Sequence, residues 1–422
     1  MSRNGARITA VVLNYARLEN VKTIVAHLCS EQLRDTISCV IVWNNNVHRP
    51  VSGQDFESDL PEGMLKVFNA PENSYFQARF LACMEAPTEW CLVQDDDYLV
   101  SAEAIRALWL YSRLKQPDNQ HPIHLLPPHE HLSTTLRTRS TDSYTASFAW
   151  LGHGTLLRRT HARSFINLLR ILSENKDDVM KMADNFFSIL LNRRAEAWID
   201  PGMHFEAGQD KAFTVGDEGD ERNWYYILRN IWSAIPLNDS QLITRAPVLA
   251  PGCVGVWSTN IQLLPPGTLE AGSAGSDLRS VDQLRRAAMA DVDFERYIQN
   301  NLACIGDGLE STVFRSPRGC EEGQWLQFDF IQDQIVSSVA LEWSAEAGFA
   351  PELRQISYEI LVDDQGWTKR APKKVEPAYG NMFMVSLDLD RPSSSIAVRA
   401  VVGPGSAARP PWAVVGCIVR AA

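Results

Sequence analysis

Three consecutive carboxylates, Asp95, Asp96 and Asp97, directly follow the short apolar run of residues 90–93 and Gln94. Acidic side chains at the end of a buried strand cost free energy unless a cation neutralises them. Carboxylate oxygens suit hard divalent ions such as Mg2+ or Mn2+, and these ions often hold substrate phosphates. The run therefore predicts a metal site for a nucleotide diphosphate, with a solvated loop or a helix cap as the rival interpretation.

The elements around this run predict a parallel α/β sheet. Residues 8–13 and 37–43 are continuous apolar runs, which is typical of strands buried on both faces of such a sheet. The first run is followed by Asn14 and the second by Asn44. Because ligands bind at the carboxyl ends of parallel strands, we expect both asparagines to lie near the three aspartates. Further predicted elements are helices at 18–28 and 74–85 and strands at 65–68 and 90–93.

The next part of the chain continues the α/β pattern. A helix is predicted at 101–114, and the apolar residues within 147–158 predict two strands separated by a Gly-His-Gly turn at 152–154. Asp184 lies near the start of a predicted helix at 183–192. Four histidines between residues 121 and 131 are interspersed with prolines, which disfavours helical ligand spacing, so this segment is predicted to be a loop.

Composition changes after residue 262. The segment 263–300 is predicted to be a Pro- and Gly-rich linker followed by a charged helix at 281–298. Beyond it, short alternating runs separated by turn residues are typical of an all-β sandwich. The predicted domains are therefore residues 1–262, α/β, and residues 301–422, a β-sandwich, joined by 263–300.

Composition also bounds the function. The net charge of −11 argues against a broad nucleic-acid surface, and no apolar stretch is long enough to span a membrane. The first seven residues lack the apolar core of a secretion signal, so a cytoplasmic location is expected, or the secretory pathway if the N-terminus has been trimmed. The eight cysteines show no zinc-type spacing, and most are predicted to be reduced core residues.

The order of motifs over about the first 245 residues resembles the exostosin-like glycosyltransferases, the heparan-type α-N-acetylhexosaminyltransferases. The motifs are residues 14–17, 42–45, 73–80 and 95–97, with a weaker match at 182–186, where Ala183 replaces the first of two acidic residues. The resemblance implies a GT-A fold and the transfer, with retention, of an N-acetylhexosamine or hexose from a UDP-sugar. It also implies Mn2+ or Mg2+ as cofactor and a glycan or other hydroxyl group as acceptor.

The resemblance assigns roles to particular residues. Asp97 would bind the metal directly, while Asp95 would contact the ribose, the metal or a metal-bound water. Asp184 would be the catalytic carboxylate, which either stabilises the transition state or orients the acceptor hydroxyl. Arg222, or His204 as an extra metal ligand, would close over the diphosphate, and His153 would line an acceptor pocket or only turn a hairpin. The remaining nucleotide-binding residues would be Tyr15 and Arg17 at the uracil, Asn44 beside them, Asn73, Arg79 at the diphosphate, and Asp96.

A second resemblance covers residues 301–422. Residues 307–316, 325–329 and 364–367 are similar to the discoidin, or coagulation-factor type C, β-sandwich, a class that often binds glycans or membranes through loops at one end. Trp325 and Trp367 alternate with polar residues and are predicted to be core anchors. This domain would bind glycans, or it would serve as a stabilising or dimerising module.

Together these observations favour a metal-dependent glycosyltransferase. The alternative is a glycan-binding protein with a degenerate transferase domain. A nucleotidyltransferase ranks third, because no glycine-rich, lysine-bearing triphosphate loop lies near the N-terminus.

Overall fold

The structure is a computed structural model of the 422-residue chain. It divides into two compact units, which are described separately: the first comprises residues 1–109, 118–197 and 202–237, and the second comprises 110–117, 198–201 and 238–422. The residues that the structure describes are 8–56, 60–114, 121–136, 139–140, 145–146, 149–173, 183–191, 195–200, 202–205, 243–249, 253–261, 263, 292–307, 309, 312–319, 321–331, 335–344, 356–362, 366–378, 382–393, 396–403 and 411–421.

Strands and helices alternate at the start of the chain, as the sequence predicts. The elements up to residue 204 are β1 (Ile8–Asn14), α1 (Leu18–Leu28), β2 (Ile37–Asn44), β3 (Leu65–Asn69), α2 (Ala78–Met84), β4 (Trp90–Gln94), β5 (Tyr98–Leu99), α3 (Ala102–Leu114), β6 (Ile123–Leu126), α4 (Pro128–Leu136), β7 (Arg139–Ser140), β8 (Thr145–Ala146), β9 (Thr155–Arg158), α5 (Arg159–Ser173), α6 (Phe187–Leu190), β10 (Glu196–Ile199) and β11 (Met203–His204).

The sheet of the first unit has the strand order β6-β9-β4-β1-β2-β3. Strand β1 pairs in parallel with β2 and β4, and β2 pairs in parallel with β3, whereas β9 is antiparallel to β4 and β6. Most of β1 and β2 is buried, as expected for strands covered on both faces. In the register, Asn14 lies opposite Asn44, so the polar ends of the two strands are level.

One aromatic cluster packs three helices of the first unit together. The Phe80 ring of α2 lies 4.5 Å from the Phe165 ring of α5 and 4.9 Å from the Phe187 ring of α6, measured between centroids. All three side chains are fully buried. Because Arg79 precedes Phe80, and Asp184 lies three residues before Phe187, this packing also positions two of the predicted site residues.

The histidine-rich segment is not the loop that the sequence predicts. Residues 123–126 form a strand and 128–136 form a helix, so that prediction was wrong. Proline is compatible with the first turn of a helix, and Pro128 occupies that position in α4. His124 and His131 are buried, and the His124 Nδ1 lies 3.1 Å from both the Trp150 carbonyl oxygen and the Thr155 hydroxyl.

Burial of these two histidines predicts an acid-sensitive first unit. Burial lowers the pKa of each to about 4 from the ordinary 6.5. In the unfolded chain these histidines are protonated at a higher pH than in the folded chain. Each buried histidine should therefore lower the free energy of unfolding as pH falls from about 6.5 to about 4, by up to roughly 3 kcal/mol. Carboxylates titrate in the same range, so the effect is read as a difference between variants. Urea unfolding should show the stability of wild type declining relative to His124→Gln over this range.

An exposed histidine provides the matched control for this measurement. His48 is solvent-exposed, so His48→Gln removes a histidine that is not buried and reports the effect of the substitution itself. A pH dependence for His124→Gln no larger than that for His48→Gln would contradict the expected acid sensitivity.

The second unit is rich in strands. The elements from residue 244 onward are β12 (Thr244–Pro247), β13 (Gly255–Thr259), α7 (Val292–Gln299), β14 (Phe314–Gly319), β15 (Trp325–Phe330), β16 (Val336–Ser344), β17 (Ile356–Val362), β18 (Trp367–Arg370), β19 (Lys374–Pro377), β20 (Met382–Ser393), β21 (Ile396–Val402) and β22 (Pro411–Ala421).

These strands form two antiparallel arrangements. One has the order β18-β17-β21-β15-β13-β12, in which every pair of adjacent strands is antiparallel. The other has the order β14-β22-β16-β20-β19. The β-rich C-terminal part is thus confirmed. Strand β13 pairs with β15 although it precedes the predicted linker, so the strand-rich unit begins earlier in the chain than the predicted sandwich. The predicted domain bounds stay predictions.

Two tryptophans predicted as core anchors lie elsewhere. Even-numbered residues of β15, such as Phe328, face the core, which leaves Trp325 half-buried on the other face. Trp367 is also half-buried. Both rings stack on the guanidinium of Arg399, whose carbon lies 4.6 Å and 4.1 Å from the two ring centroids. The prediction was wrong because strand alternation shows that a residue faces one side of the sheet but not which side is buried.

Two further observations concern the described residues only. Seven cysteines there are free thiols, five of them buried, while Cys320 lies outside the described part. No helix in the described ranges is both long enough and apolar enough to cross a bilayer.

Candidate functional site

A cavity lies at the carboxyl ends of β1 and β4, the position predicted for a ligand site. The structure brings most of the predicted nucleotide-binding residues to its wall, including Tyr15, whose side chain is 40% exposed. The lining residues are Leu13, Asn14, Tyr15, Ala16, Arg17, Asn45, Asn73, Tyr75, Phe76, Asp95, Asp96 and Asp97.

The three aspartates follow β4 at the point where the strand leaves the sheet. The backbone amide of Asp95 donates a hydrogen bond of 2.8 Å to the carbonyl oxygen of Gly152. Arg17 Nη1 donates to Asp96 Oδ1 at 3.1 Å and to Asp97 Oδ2 at 2.9 Å. The side chain of Asp97 is 51% exposed and that of Asp96 is 17% exposed, so Asp97 is the more solvent-accessible of the two.

Arg79 lies beneath this cluster rather than in the cavity. Its side chain is only 2% exposed, and its Nη2 donates to both carboxylate oxygens of Asp95, at 2.8 and 3.1 Å. Its Nη1 lies 3.8 Å from Asp184 Oδ2, and the Phe76 ring centroid lies 5.1 Å from its guanidinium carbon. Arg79 therefore connects Asp95 with Asp184.

The site carries more negative charge than its arginines offset. Burial, together with the charges of Asp95 and Asp97, raises the pKa of Asp96 to about 7 despite the opposing effect of Arg17. Burial also raises the pKa of Asp95, against the opposing effect of Arg79. Carboxylates whose charged forms are disfavoured in this way would be stabilised by an additional cation.

Gly152 is a positioning residue that the sequence analysis did not identify. A Cβ atom placed there would lie 2.2 Å from Asp95 Oδ2, so only glycine allows the carboxylate its present position. The only sequence signal was the Gly-His-Gly turn, which carries no information about what packs against it.

Replacing Gly152 with alanine is expected to displace the Asp95 carboxylate and to destabilise the first unit by about 1–3 kcal/mol. Gly53→Ala is the matched control, because a Cβ there meets no atom within 4 Å, and it should be neutral or slightly stabilising. Chemical denaturation of both variants measures the effect. Equal stabilities would contradict the close packing of Gly152 on Asp95.

Asn44 supports the cavity from behind. Its side chain is fully buried, its Oδ1 accepts from Asn14 Nδ2 at 2.7 Å, and its Nδ2 donates to Asn69 Oδ1 at 2.8 Å. The cavity is instead lined by its neighbour Asn45. Asn44 is not among the residues that line the cavity, so the predicted contact with a nucleotide would require its hydrogen bonds to Asn14 and Asn69 to rearrange.

Asn45 and Asn73 hold a strained turn at the cavity wall. Tyr75 has a φ of 46°, in the left-handed region that a non-glycine residue rarely adopts. Its amide donates to Asn73 Oδ1 at 2.9 Å, and its carbonyl oxygen accepts from Asn45 Nδ2 at 3.1 Å. Strain of this kind persists where surrounding contacts enforce it, often at ligand sites. Tyr75 and Phe76 are cavity residues that the sequence analysis missed.

Three further predicted residues lie around the site or outside the described part. Asp184 is 5% exposed in a short 3-10 turn, Ala183–Phe186, next to Arg79. The backbone of His204 pairs with Tyr98 in a two-stranded ladder directly after Asp97. Arg222 lies outside the described residues.

His153 lies close to an acidic partner. Its Nδ1 is 3.2 Å from Glu130 Oε2, and its ring packs edge-on against Tyr98 at 4.6 Å between centroids. Burial lowers the pKa of His153, but Glu130 and the charges of Asp97 and Asp95 outweigh it and raise the pKa overall.

The donor set fits a hard divalent cation. Among the described residues, no three His, Cys, Asp or Glu side chains already surround one point as metal ligands. Mg2+-type ions, however, are commonly bound through one or two carboxylates, with substrate phosphates and water completing the shell. Asp97 and Asp95 could provide those carboxylates at the cavity wall.

Comparisons with protein-family models and with curated proteins give no match. Solved structures with local similarity include the mannosyltransferase PcManGT from Pyrobaculum calidifontis, in complex with GDP-Man and Mn2+. It is 14% identical, covers 46% of this chain and 55% of its own, and has a TM-score of 0.32. The structure of GalNAc-T7 with UDP, GalNAc and Mn2+ is also 14% identical, covers 30% of this chain and 24% of its own, and has a TM-score of 0.23.

A third similar structure is a carbohydrate-binding module. The family 32 carbohydrate-binding module of NanJ from Clostridium perfringens, in complex with galactose, is 21% identical. It covers 29% of this chain and 85% of its own, with a TM-score of 0.21. All three TM-scores lie below 0.5, so none of these similarities assigns a function to this chain.

Proposed function

We propose that this chain is a metal-dependent glycosyltransferase that moves an N-acetylhexosamine or hexose from a UDP-sugar to a glycan or other hydroxyl acceptor, with retention. One observation carries the proposal. Three carboxylates at the end of a central parallel strand line the same cavity as Tyr15, Arg17 and Asn73. An aromatic ring, an arginine and acidic metal ligands around one cavity are suited to a base, a diphosphate and its cation.

The proposed metal ligands are Asp97 and Asp95, with His204 as a further candidate. Bound Mn2+ or Mg2+ would neutralise the negative charge that develops on the leaving diphosphate. Asp97 is the more accessible carboxylate of the Arg17 pair, so it can reach an ion in the cavity. Asp95 is oriented from below by Arg79 and from the side by Gly152. We propose that Arg79 orients the carboxylates and does not bind the diphosphate itself.

Most of the proposed nucleotide-binding residues line the cavity, whereas Asn44 is buried behind it. Tyr15 presents a partly exposed ring to the cavity and is suited to stack on uracil. Asn73 and Asp96 lie at the same wall. Asn44 is proposed to act through Asn14 and the strand ends that it ties together.

Asp184 is the proposed catalytic carboxylate, for stabilising the transition state or orienting the acceptor. Its Oδ2 lies 3.8 Å from Nη1 of Arg79, and its burial would strengthen its field on a substrate in the cavity. Arg222 is the proposed residue that closes over the diphosphate, and it lies outside the described part of the chain.

For the overall architecture we propose a GT-A domain followed by a discoidin-like sandwich that binds glycans or mediates dimerisation. The parallel order β4-β1-β2-β3 supports the first assignment, and the two antiparallel arrangements of the second unit support the other. The cytoplasmic location expected from the sequence remains a prediction.

The test is release of UDP from a panel of UDP-sugars in the presence and absence of Mn2+, using the full chain. The proposal expects Mn2+-dependent release of UDP, accelerated by a glycan acceptor. A glycan-binding protein with a degenerate domain would release none, and a nucleotidyltransferase would instead release pyrophosphate from a nucleoside triphosphate. Either of those results contradicts the proposed activity.

A further inference from the structure

The guanidinium of Arg17 occupies the carboxylates that the proposed metal would need. One nitrogen, Nη1, donates to both Asp96 Oδ1 and Asp97 Oδ2, at 3.1 and 2.9 Å. Together with Arg79 on Asp95, this gives each of the three aspartates an arginine partner. A positive charge is thus already present where a cation is expected to bind.

The main chain of Arg17 is held by a hydrogen bond that does not involve its side chain. Arg17 lies between β1 and α1, and its carbonyl oxygen accepts from the Val21 amide at 3.2 Å, which fixes the main chain. The Nε of Arg17 is buried and has no hydrogen-bond partner among the described residues. The head group, on a side chain with several rotatable bonds, is therefore held through its terminal nitrogen on the two carboxylates.

A divalent cation and the guanidinium repel each other if both lie on Asp97. Arg17 on Asp97 therefore opposes metal binding at that carboxylate, and a guanidinium that gives way to the metal needs a new anionic partner. A nucleotide diphosphate in the same cavity provides one, because guanidinium groups pair well with phosphate oxygens.

We propose that Arg17 is an internal counter-ion that holds the metal-binding carboxylates until a nucleotide diphosphate arrives, an inference that rests on the proposed function. Arg17 lowers the affinity for the metal alone, and its transfer to the diphosphate makes the metal and the nucleotide bind cooperatively. Because coupling between two ligands is reciprocal, each should increase the affinity for the other by the same factor.

The test is calorimetric titration of the full chain with Mn2+, first alone and then with UDP present, for wild type, Arg17→Gln, Arg17→Lys and Arg34→Gln. Without UDP, Arg17→Gln should bind Mn2+ at least about tenfold more tightly than wild type. The increase in Mn2+ affinity caused by UDP should be smaller in Arg17→Gln. Arg17→Lys keeps the charge and should stay close to wild type, as should Arg34→Gln, which alters an exposed arginine.

The outcomes separate this inference from the proposed function. If wild type binds Mn2+ with UDP but Arg17→Gln binds Mn2+ alone no more tightly than wild type, the counter-ion role is wrong and the transferase proposal stands. An equal gain in Arg17→Lys would also overturn it, because the charge would then not be the cause. If no form binds Mn2+ even with UDP, the proposed function fails and the inference fails with it.

Discussion

The Asp97→Asn variant is expected to release UDP from a UDP-sugar at least about a hundredfold more slowly than wild type at saturating Mn2+. The substitution keeps the shape of the side chain but removes the charge proposed to bind the metal. Asp97 is half exposed, and the mostly buried Arg17 keeps Asp96 as a second partner, so stability should change by less than about 1 kcal/mol. Steady-state kinetics with a UDP-detection assay measure the rate.

Asp35→Asn is the matched control for this change. Asp35 is exposed in the segment between α1 and β2, away from the cavity residues, so the same loss of one charge should leave the rate unaltered. A rate for Asp97→Asn within a few fold of wild type would show that Asp97 does not hold a catalytic metal.

Replacing the buried Arg79 with methionine should strongly lower the free energy of unfolding of the first unit. Arg79→Met leaves the carboxylates of Asp95 and Asp184 without the cation between them, and breaking a buried pair in this way costs about 3 kcal/mol or more. Urea unfolding at neutral pH measures the loss. Adding Asp95→Asn to Arg79→Met should recover part of it, because one of the uncompensated charges is then also absent.

Arg163→Met is a suitable control because Arg163 is an exposed arginine on α5. Its stability should lie within about 0.5 kcal/mol of wild type. A loss for Arg79→Met as small as that of the control would mean that Arg79 does not compensate the two carboxylates.

The sheet and the edge that carries the candidate site could be predicted from the sequence, because burial on both faces leaves a continuous apolar pattern. Strands β1 and β2 are such runs, and both end in asparagines that are level in the register. The placement of Asp95 after β4 followed from the same pattern. The position of several candidate residues at one cavity is thus a consequence of strand polarity and length.

The environment of each site residue could not be predicted in the same way, because it depends on contacts between distant segments. Arg79 fitted a diphosphate ligand by its chemistry, but the packing of Phe80 places its guanidinium beneath Asp95. Gly152 approaches Asp95 only because β9 lies antiparallel to β4. Gly152 and Asp95 are 57 positions apart in the sequence (152 − 95), so no local pattern indicates that they are in contact.

Calorimetric titration of UDP into the wild-type chain, with and without Mn2+, tests the central claim most directly. The account predicts that UDP binding requires Mn2+ and that Asp97→Asn loses this dependence together with the affinity. UDP binding that is unaffected by Mn2+, or absent in its presence, would contradict a metal-dependent nucleotide site at the three aspartates.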